Sequence, residues 1–339
     1  MIGVGLIGYG LGGRAFHAPY VAVTSGMTLR AVVSRDPAKV CADLPAMRVV
    51  PTVHAMLREP GIELVIVSSP DPFHADHAVA ALSAGKHVLV DKPFATSPDD
   101  ARRMIRASES AGRLLTVFHN RRWDADFMTI QALLASGRLG EVVELESRFD
   151  RWRPVPAATW KEARHGGSWL DLGPHLVDQA VVLFGRPQAI VADLATLRVG
   201  APATDYFHVV LRYPDKRVIL HSTKLAAANG LRFAVHGTRG SWIKHGVDPQ
   251  EAAIVAGRTP GGLEWGTDLQ DGSLTLGGTA TTAWPNQRGD YRLFWNALVA
   301  AIRGEAPNPV PAGEALTVVE VIDAGLRSSA ERAEILLEH

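Results

Sequence analysis

Cysteine is almost missing from this sequence. Only Cys41 occurs in 339 residues, so the chain holds no internal disulfide framework and no cysteine-built zinc or iron–sulfur site. A reducing, cytoplasmic setting is the expectation. Net charge is missing as well: 35 basic residues balance 35 acidic ones, which removes the global electrostatic argument for nucleic acid or an anionic membrane as partner. No apolar run reaches about 18 residues without a charge, and the opening MIGVGLIGYG has no basic stretch. Neither a membrane span nor a secretory leader is expected. Sequence repeats and low-complexity linkers are also lacking. What remains is a globular chain suited to a small-molecule partner. Its length exceeds the roughly 250–300 residues at which one hydrophobic core stops growing, so two domains are expected.

The two parts read differently. Up to about residue 120 the apolar runs IGVGLIG, LRAVVS, RVV, LVIVSS, HVLVD and LLTVFH alternate with helical patterns such as DHAVAALSAG and SPDDARRMIRASESAG. The second of these opens on Ser97-Pro98 with acidic residues in its first turn and stops at Gly112, as helix ends should. Such alternation predicts βαβ units and a parallel sheet. After residue 140 the runs lengthen and pair, with hairpin turns expected around residues 214–216 and 238–240. Polar and apolar residues alternate in them, which predicts an antiparallel sheet with one wetter face. From Arg292 onward helical spacing returns.

Gly8, Gly10 and Gly13 form G-x-G-x-x-G between a predicted strand and a predicted helix, the context that gives this short pattern its meaning. Gly8 permits the tight turn, Gly10 lets the backbone approach a pyrophosphate, and Gly13 allows close helix–strand packing. With Leu11 and Gly12 between them, these residues are the candidate dinucleotide cradle. Arg14, Phe16 and His17 follow directly: Arg14 is expected to assist a phosphate, Phe16 to pack beside the cofactor ring, and His17 to reach phosphate or substrate. At the end of the second strand, Ser34-Arg35 offers a hydroxyl and a guanidinium, which suit the 2′-phosphate of NADP. NAD stays open, because Asp36 one position later either binds ribose hydroxyls or caps a helix whose first residue is Pro37.

Three further segments carry chemistry. In SSPDPFH a buried strand ends at Ser68, and a helix is expected to open with Asp71 as cap. Ser69, Pro70 and His74 then line the crevice at the strand's carboxyl end. In VDKPF, Asp91 and Lys92 end another strand at the same edge, where a lysine can stabilise a forming alkoxide. In RHGGSWLDLGPHLVD, Gly173-Pro174 reads as a helix start, with Asp171 just before it and His175 in its first turn. The positive helix end would keep that imidazole neutral, as a general base requires. A capping aspartate beside a packed histidine is the equally open structural alternative. No metal site is expected, since one Asp and one His supply too few ligands and no His-x-x-x-His pair occurs.

Together GYGLGG, SSPDPFH, VDKPF and GGSWLDLGPHLVD resemble the Gfo/Idh/MocA oxidoreductases in order and along essentially the whole chain. GRAFHAP and FHNRRWDADF resemble the branch with NADP-dependent scyllo-inositol dehydrogenases. The resemblance implies an α/β protein: a Rossmann domain over 1–120 and a substrate-binding and oligomerisation domain over 121–339. The second is implied to carry a large, mostly antiparallel open sheet and C-terminal helices that can pack back on the first domain. It implies catalytic roles for Lys92, Asp171 and His175 and a substrate-bordering loop at His165, which reads equally as a tolerated loop residue. By position Asn120, Arg122 and Trp123 are candidate substrate contacts or a hinge, and Trp160 a sugar-stacking face or core packing. Three positions depart from the family pattern: Asp91 for the commoner Glu, Asp71 for Asn, and His165 for the first glycine of a Gly-Gly-Gly run. The implied activity is an NAD(P)-dependent dehydrogenase, NADP-linked, acting on a polyol or sugar, in a homodimer or dimer of dimers. The alternatives are a cofactor-sensing regulator, or a glycoside-cleaving or epimerising enzyme using transient oxidation by bound NAD.

Overall fold

The computed structural model describes residues 1–157, 162–163, 166–228 and 230–337. The chain divides into two compact units. One comprises Met1–Asn120, Gln250–Trp265 and Asp290–Val319; the other comprises Arg121–Pro249, Gly266–Gly289 and Glu320–His339.

The first unit is built on a six-stranded parallel sheet. Its strands are β1 (Ile2–Ile7), β2 (Met27–Val33), β3 (Arg48–Val50), β4 (Leu64–Val67), β5 (His87–Val90) and β6 (Leu115–Val117), in the order β3-β2-β1-β4-β5-β6. Residues of β1 and β4 are buried throughout, because a parallel sheet covered on both faces needs unbroken apolar runs rather than alternating ones. The order reverses between β1 and β4, which opens a crevice at the carboxyl ends of the strands. Helix Pro98–Ala111 starts where Ser97 accepts from the Asp100 amide and stops at Gly112 in the left-handed region, as its sequence predicts.

The helix after the glycines is less regular than expected. Gly12–His17 forms a π-helical stretch before the α-helix Ala18–Val23. Pro19 explains this: it has no N–H for the Ala15 carbonyl, and its ring would strike that carbonyl in a regular helix. A widened turn absorbs the mismatch.

The second unit carries a nine-stranded sheet. Its strands are β7 (Val142–Arg148), β8 (Ala189–Ala195), β9 (Tyr206–Arg212), β10 (Arg217–Thr223), β11 (Leu231–Gly237), β12 (Gly240–His245), β13 (Gly272–Leu276), β14 (Thr282–Trp284) and β15 (Ile335–Leu336). Their order is β14-β13-β12-β11-β7-β10-β9-β8-β15, and all pairs are antiparallel except β7 with β10. Strand alternation puts Phe207, Val209, Leu211, Val218 and Leu220 in the core, under the helix Gly167–Phe184. Tyr206, His208, Val210, Ile219 and His221 point to the opposite face.

That helix corrects one expectation. It begins at Gly167, capped by Gly166, so Pro174 lies inside it, Asp171 is already helical, and His175 is at mid-helix rather than in the first turn. The start is fixed by a close approach: a Cβ on Gly167 would lie 2.0 Å from the Thr204 carbonyl, which accepts from the Ser168 amide at 2.7 Å. Gly173, which reads as turn punctuation beside Pro174, is instead a packing residue. A Cβ there would meet the Trp169 ring at 2.6 Å and Ile322 at 2.9 Å. The local field of a helix terminus therefore does not act on His175.

Candidate active site

In the first unit, the strand order brings four strand ends to one sheet edge: Gly8 after β1, Ser34-Arg35 after β2, Ser69-Pro70 after β4 and Asp91-Lys92 after β5. The glycines there have separable jobs. Gly8 has φ of 96°, and a Cβ on it would lie 2.5 Å from the Ser68 carbonyl. A Cβ on Gly13 would lie 2.2 Å from the Gly8 carbonyl, so only glycine lets helix and turn pack. On Gly10 a Cβ would meet nothing within 4 Å. Gly10 therefore guards empty space beside a helix N-terminus, which fits a pyrophosphate. Leu11 is exposed beside it. Gly12 faces inward, for a Cβ there would sit 2.5 Å from Ser68 Oγ and 2.6 Å from Asp91 Oδ2.

Beyond the ends of β2 and β3 lies an open cleft of about 330 Å³ lined by Ser34, Arg35, Pro37, Val49, Val50 and Pro51. Apolar walls with one guanidinium and one hydroxyl suit an adenosine carrying phosphate. Asp36 is occupied elsewhere: its carboxylate accepts from the Lys39 amide at 3.0 Å and caps the helix Pro37–Asp43.

Asp91 and His74 turn inward. Asp91 Oδ1 accepts from its neighbour's amide, Lys92 N, at 2.8 Å, and Oδ2 from Ser68 Oγ at 3.0 Å, with His17 Nε2 at 3.1 Å. Burial works to raise the Asp91 pKa, but the facing His17 imidazole, with His74 and Lys92, holds the carboxyl well below the usual carboxylate range. His74 is 1% exposed, and its ring nitrogens meet the carbonyls of Pro93 and Ser69, each at 2.8 Å. Its ring is thus committed to backbone rather than open to a cofactor. His17 is buried completely, and Arg14 pairs with Asp43 at 2.6 Å. Both side chains are thus held by carboxylates of the chain itself.

In the second unit, Asp171 and His175 stand four residues apart on one helix face. One turn further, Asp178 binds Arg122 through Nη2 at 2.6 Å and Nε at 2.9 Å. This ties the Arg122 guanidinium to the helix. Gln179 gives its amide to the Arg121 carbonyl and accepts from Arg232 at 3.0 Å. Arg232, fully buried, also meets Asp126 at 3.0 Å and lies over the Phe233 ring. Among the expected substrate residues, Asn120 is buried and Trp123 half-buried. Trp160 and His165 lie outside the described residues. No cluster of metal-ligating side chains occurs among the described residues.

Residues 2–119 match the family model for the NAD-binding Rossmann fold of the Gfo/Idh/MocA oxidoreductase family, and residues 131–337 match that family's C-terminal alpha/beta domain. The chain belongs to the Gfo/Idh/MocA oxidoreductases. It is 46% identical to the uncharacterized oxidoreductase YdgJ of Escherichia coli, with 99% of each chain covered. It is 37% identical to scyllo-inositol 2-dehydrogenase (NADP(+)) IolW of Bacillus subtilis, covering 100% of this chain and 96% of that one. The structure of YPO2259 from Yersinia pestis superposes with a TM-score of 0.96 at 47% identity, covering 100% of this chain and 97% of that chain. As a Gfo/Idh/MocA oxidoreductase the protein takes a nicotinamide cofactor in its N-terminal domain and is an NAD(P)-dependent dehydrogenase. Among the described residues, no helix is long and apolar enough to cross a membrane. What sequence reading missed in this Gfo/Idh/MocA chain are the inward ties, His17 to Asp91 and Arg232 to Asp126, because a polar residue inside an apolar pattern does not reveal its partner.

Proposed function

We propose that the protein is an NADP-linked dehydrogenase that interconverts a secondary alcohol of an inositol-like polyol or a sugar with its ketone. The observation that carries this reading is the cleft at Ser34 and Arg35. A hydroxyl and a guanidinium there suit a phosphate dianion, while Asp36, which would read ribose hydroxyls in an NAD site, caps a helix. The NADP(+) specificity in the name of the Bacillus subtilis relative IolW supports the same assignment.

Bound nicotinamide supplies the hydride acceptor or donor. The chain supplies the rest. Backbone N–H groups from Gly8 to Gly13 hold the pyrophosphate, with Ser69 and Pro70 bordering the nicotinamide half. Lys92 stabilises the forming alkoxide, and His175 takes the hydroxyl proton onto its ring, oriented by Asp171. Asn120, Trp123, Trp160 and His165 complete the substrate contacts. The protein pairs as a homodimer through the open face of the nine-stranded sheet, where Val191 is 43% exposed beside half-buried Val210 and Ile219.

The test is turnover of scyllo-inositol, other inositols and aldoses with NADP⁺ or NAD⁺, followed through reduced-nicotinamide absorbance. Preference for NADP⁺ by at least about tenfold in kcat/KM is expected, given about 1.5–3 kcal/mol for charge-assisted hydrogen bonds. Absence of turnover with every polyol and sugar rejects the reading, and preference for NAD⁺ rejects its cofactor half.

A further inference from the structure

Lys92 stands between two residues that are each held by a buried histidine. Before it, Asp91 meets His17 Nε2 through Oδ2 at 3.1 Å and takes the Lys92 amide on Oδ1 at 2.8 Å. After it, the Pro93 carbonyl meets His74 Nδ1 at 2.8 Å, and the same ring reaches across to the Ser69 carbonyl. Carbonyl oxygens only accept, so His74 is the donor in any hydrogen bond it makes to them.

The two rings are built for this and for little else. His17 is completely buried, with its ring centroid 4.8 Å from Phe118 and 5.9 Å from Trp295. Its Nδ1 has no hydrogen-bond partner among the described residues, so Asp91 is its one polar link. The local cost of a π-helical turn and of a buried ring nitrogen is tolerated here, at the first turn of the dinucleotide-binding helix. Gly12 lets Asp91 and Ser68 come this close to that turn.

We propose that His17 and His74 are positioning residues for Lys92. They fix the peptide units on either side of it, so that a long, flexible side chain leaves the end of β5 from one defined origin. His17 also ties the cofactor-binding helix to that origin, through the carboxylate of Asp91. The inference rests on Lys92 acting in the chemistry, as proposed above.

Hydrogen exchange of the full-length protein tests it without substrate. In His17→Leu and His74→Leu, the amides of the peptide spanning residues 91–94 should exchange at least about tenfold faster, while those of β1 keep their protection. His17→Gln, which still offers a carboxylate an N–H, should restore the native rate. Asp91→Asn keeps the packing and weakens the link, and it carries the same expectation should a leucine variant not fold. Unchanged exchange at residues 91–94, or acceleration shared equally with β1, overturns the proposal. With scyllo-inositol, kcat should fall at least about tenfold in His17→Leu while the NADPH Kd stays within about threefold. In a Lys92→Ala background the His17 substitution should then add nothing; an additive effect also overturns it. Should Lys92→Ala leave turnover intact, the catalytic reading fails, while the exchange result still decides the positioning claim.

Discussion

Arg122 and Asp178 form a bidentate ion pair, with Nη2 to Oδ1 at 2.6 Å and side chains only 10% and 2% exposed. It anchors the helix that carries His175 to the start of its own unit. Removing one member leaves the other charge buried without this counter-charge, at a cost of about 3–5 kcal/mol. Arg122→Ala and Asp178→Ala should each lower the urea midpoint accordingly, and the double variant should lose less than the sum of the two. Strict additivity would mean the pair is not coupled.

Catalysis should separate from cofactor binding. His175 lies at mid-helix with Asp171 four residues before it, and in the proposed mechanism that carboxylate steadies the protonated ring. His175→Ala and Lys92→Ala should each cut turnover by at least about 10²-fold, with NADPH affinity within about threefold of native by fluorescence titration. Asp171→Asn should fall between them and the native enzyme. Unchanged turnover in either alanine variant refutes the assigned role.

The glycines allow a sharper contrast than their motif suggests. Gly10→Ala places its Cβ in open space, whereas Gly13→Ala drives its Cβ to 2.2 Å from the Gly8 carbonyl. Gly13→Ala should therefore lose roughly 1–3 kcal/mol of stability. Gly10→Ala should hold stability within about 0.5 kcal/mol yet bind NADPH more weakly, because the filled space is the ligand's. Equal effects on Tm would remove the distinction.

The first unit was legible because its signals are local. Ser97, Gly112 and the apolar runs of β1, β4 and β5 each reflect a property of a few neighbouring residues. The helix around His175 was misread for the opposite reason. Gly173-Pro174 has the composition of a boundary, but Gly173 answers to Trp169 and Ile322, the latter far along the chain. The inward turn of His17 is hidden from sequence for a similar reason, since its partner Asp91 is 74 positions away. Local chemistry proposes an element or a ligand; distant packing decides which way a side chain turns.

Cofactor preference should follow Arg35. Arg35→Ala should weaken NADPH binding by about tenfold or more, the loss of a charge-assisted bond, and leave NADH nearly unaffected. Ser34→Asp combined with Arg35→Ala should move the preference toward NADH by repelling the phosphate. Parallel losses for both cofactors would place the 2′-phosphate elsewhere.

His221 sets a pH dependence on the open face of the nine-stranded sheet. Burial, and then the charge of Arg148 and of His208, push its pKa down to about 4, against the pull of Asp150 at 3.5 Å. The unfolded chain takes up this proton near pH 6.5 and the folded one only near pH 4. Between those values the unfolded state binds more protons, so stability rises with pH and is lost on acidification through that window, up to roughly 3 kcal/mol. His221→Gln should remove this contribution. Its stability should fall less than that of the native protein between about pH 7 and about pH 5 in urea titrations, and identical slopes would show that His221 titrates normally in the fold.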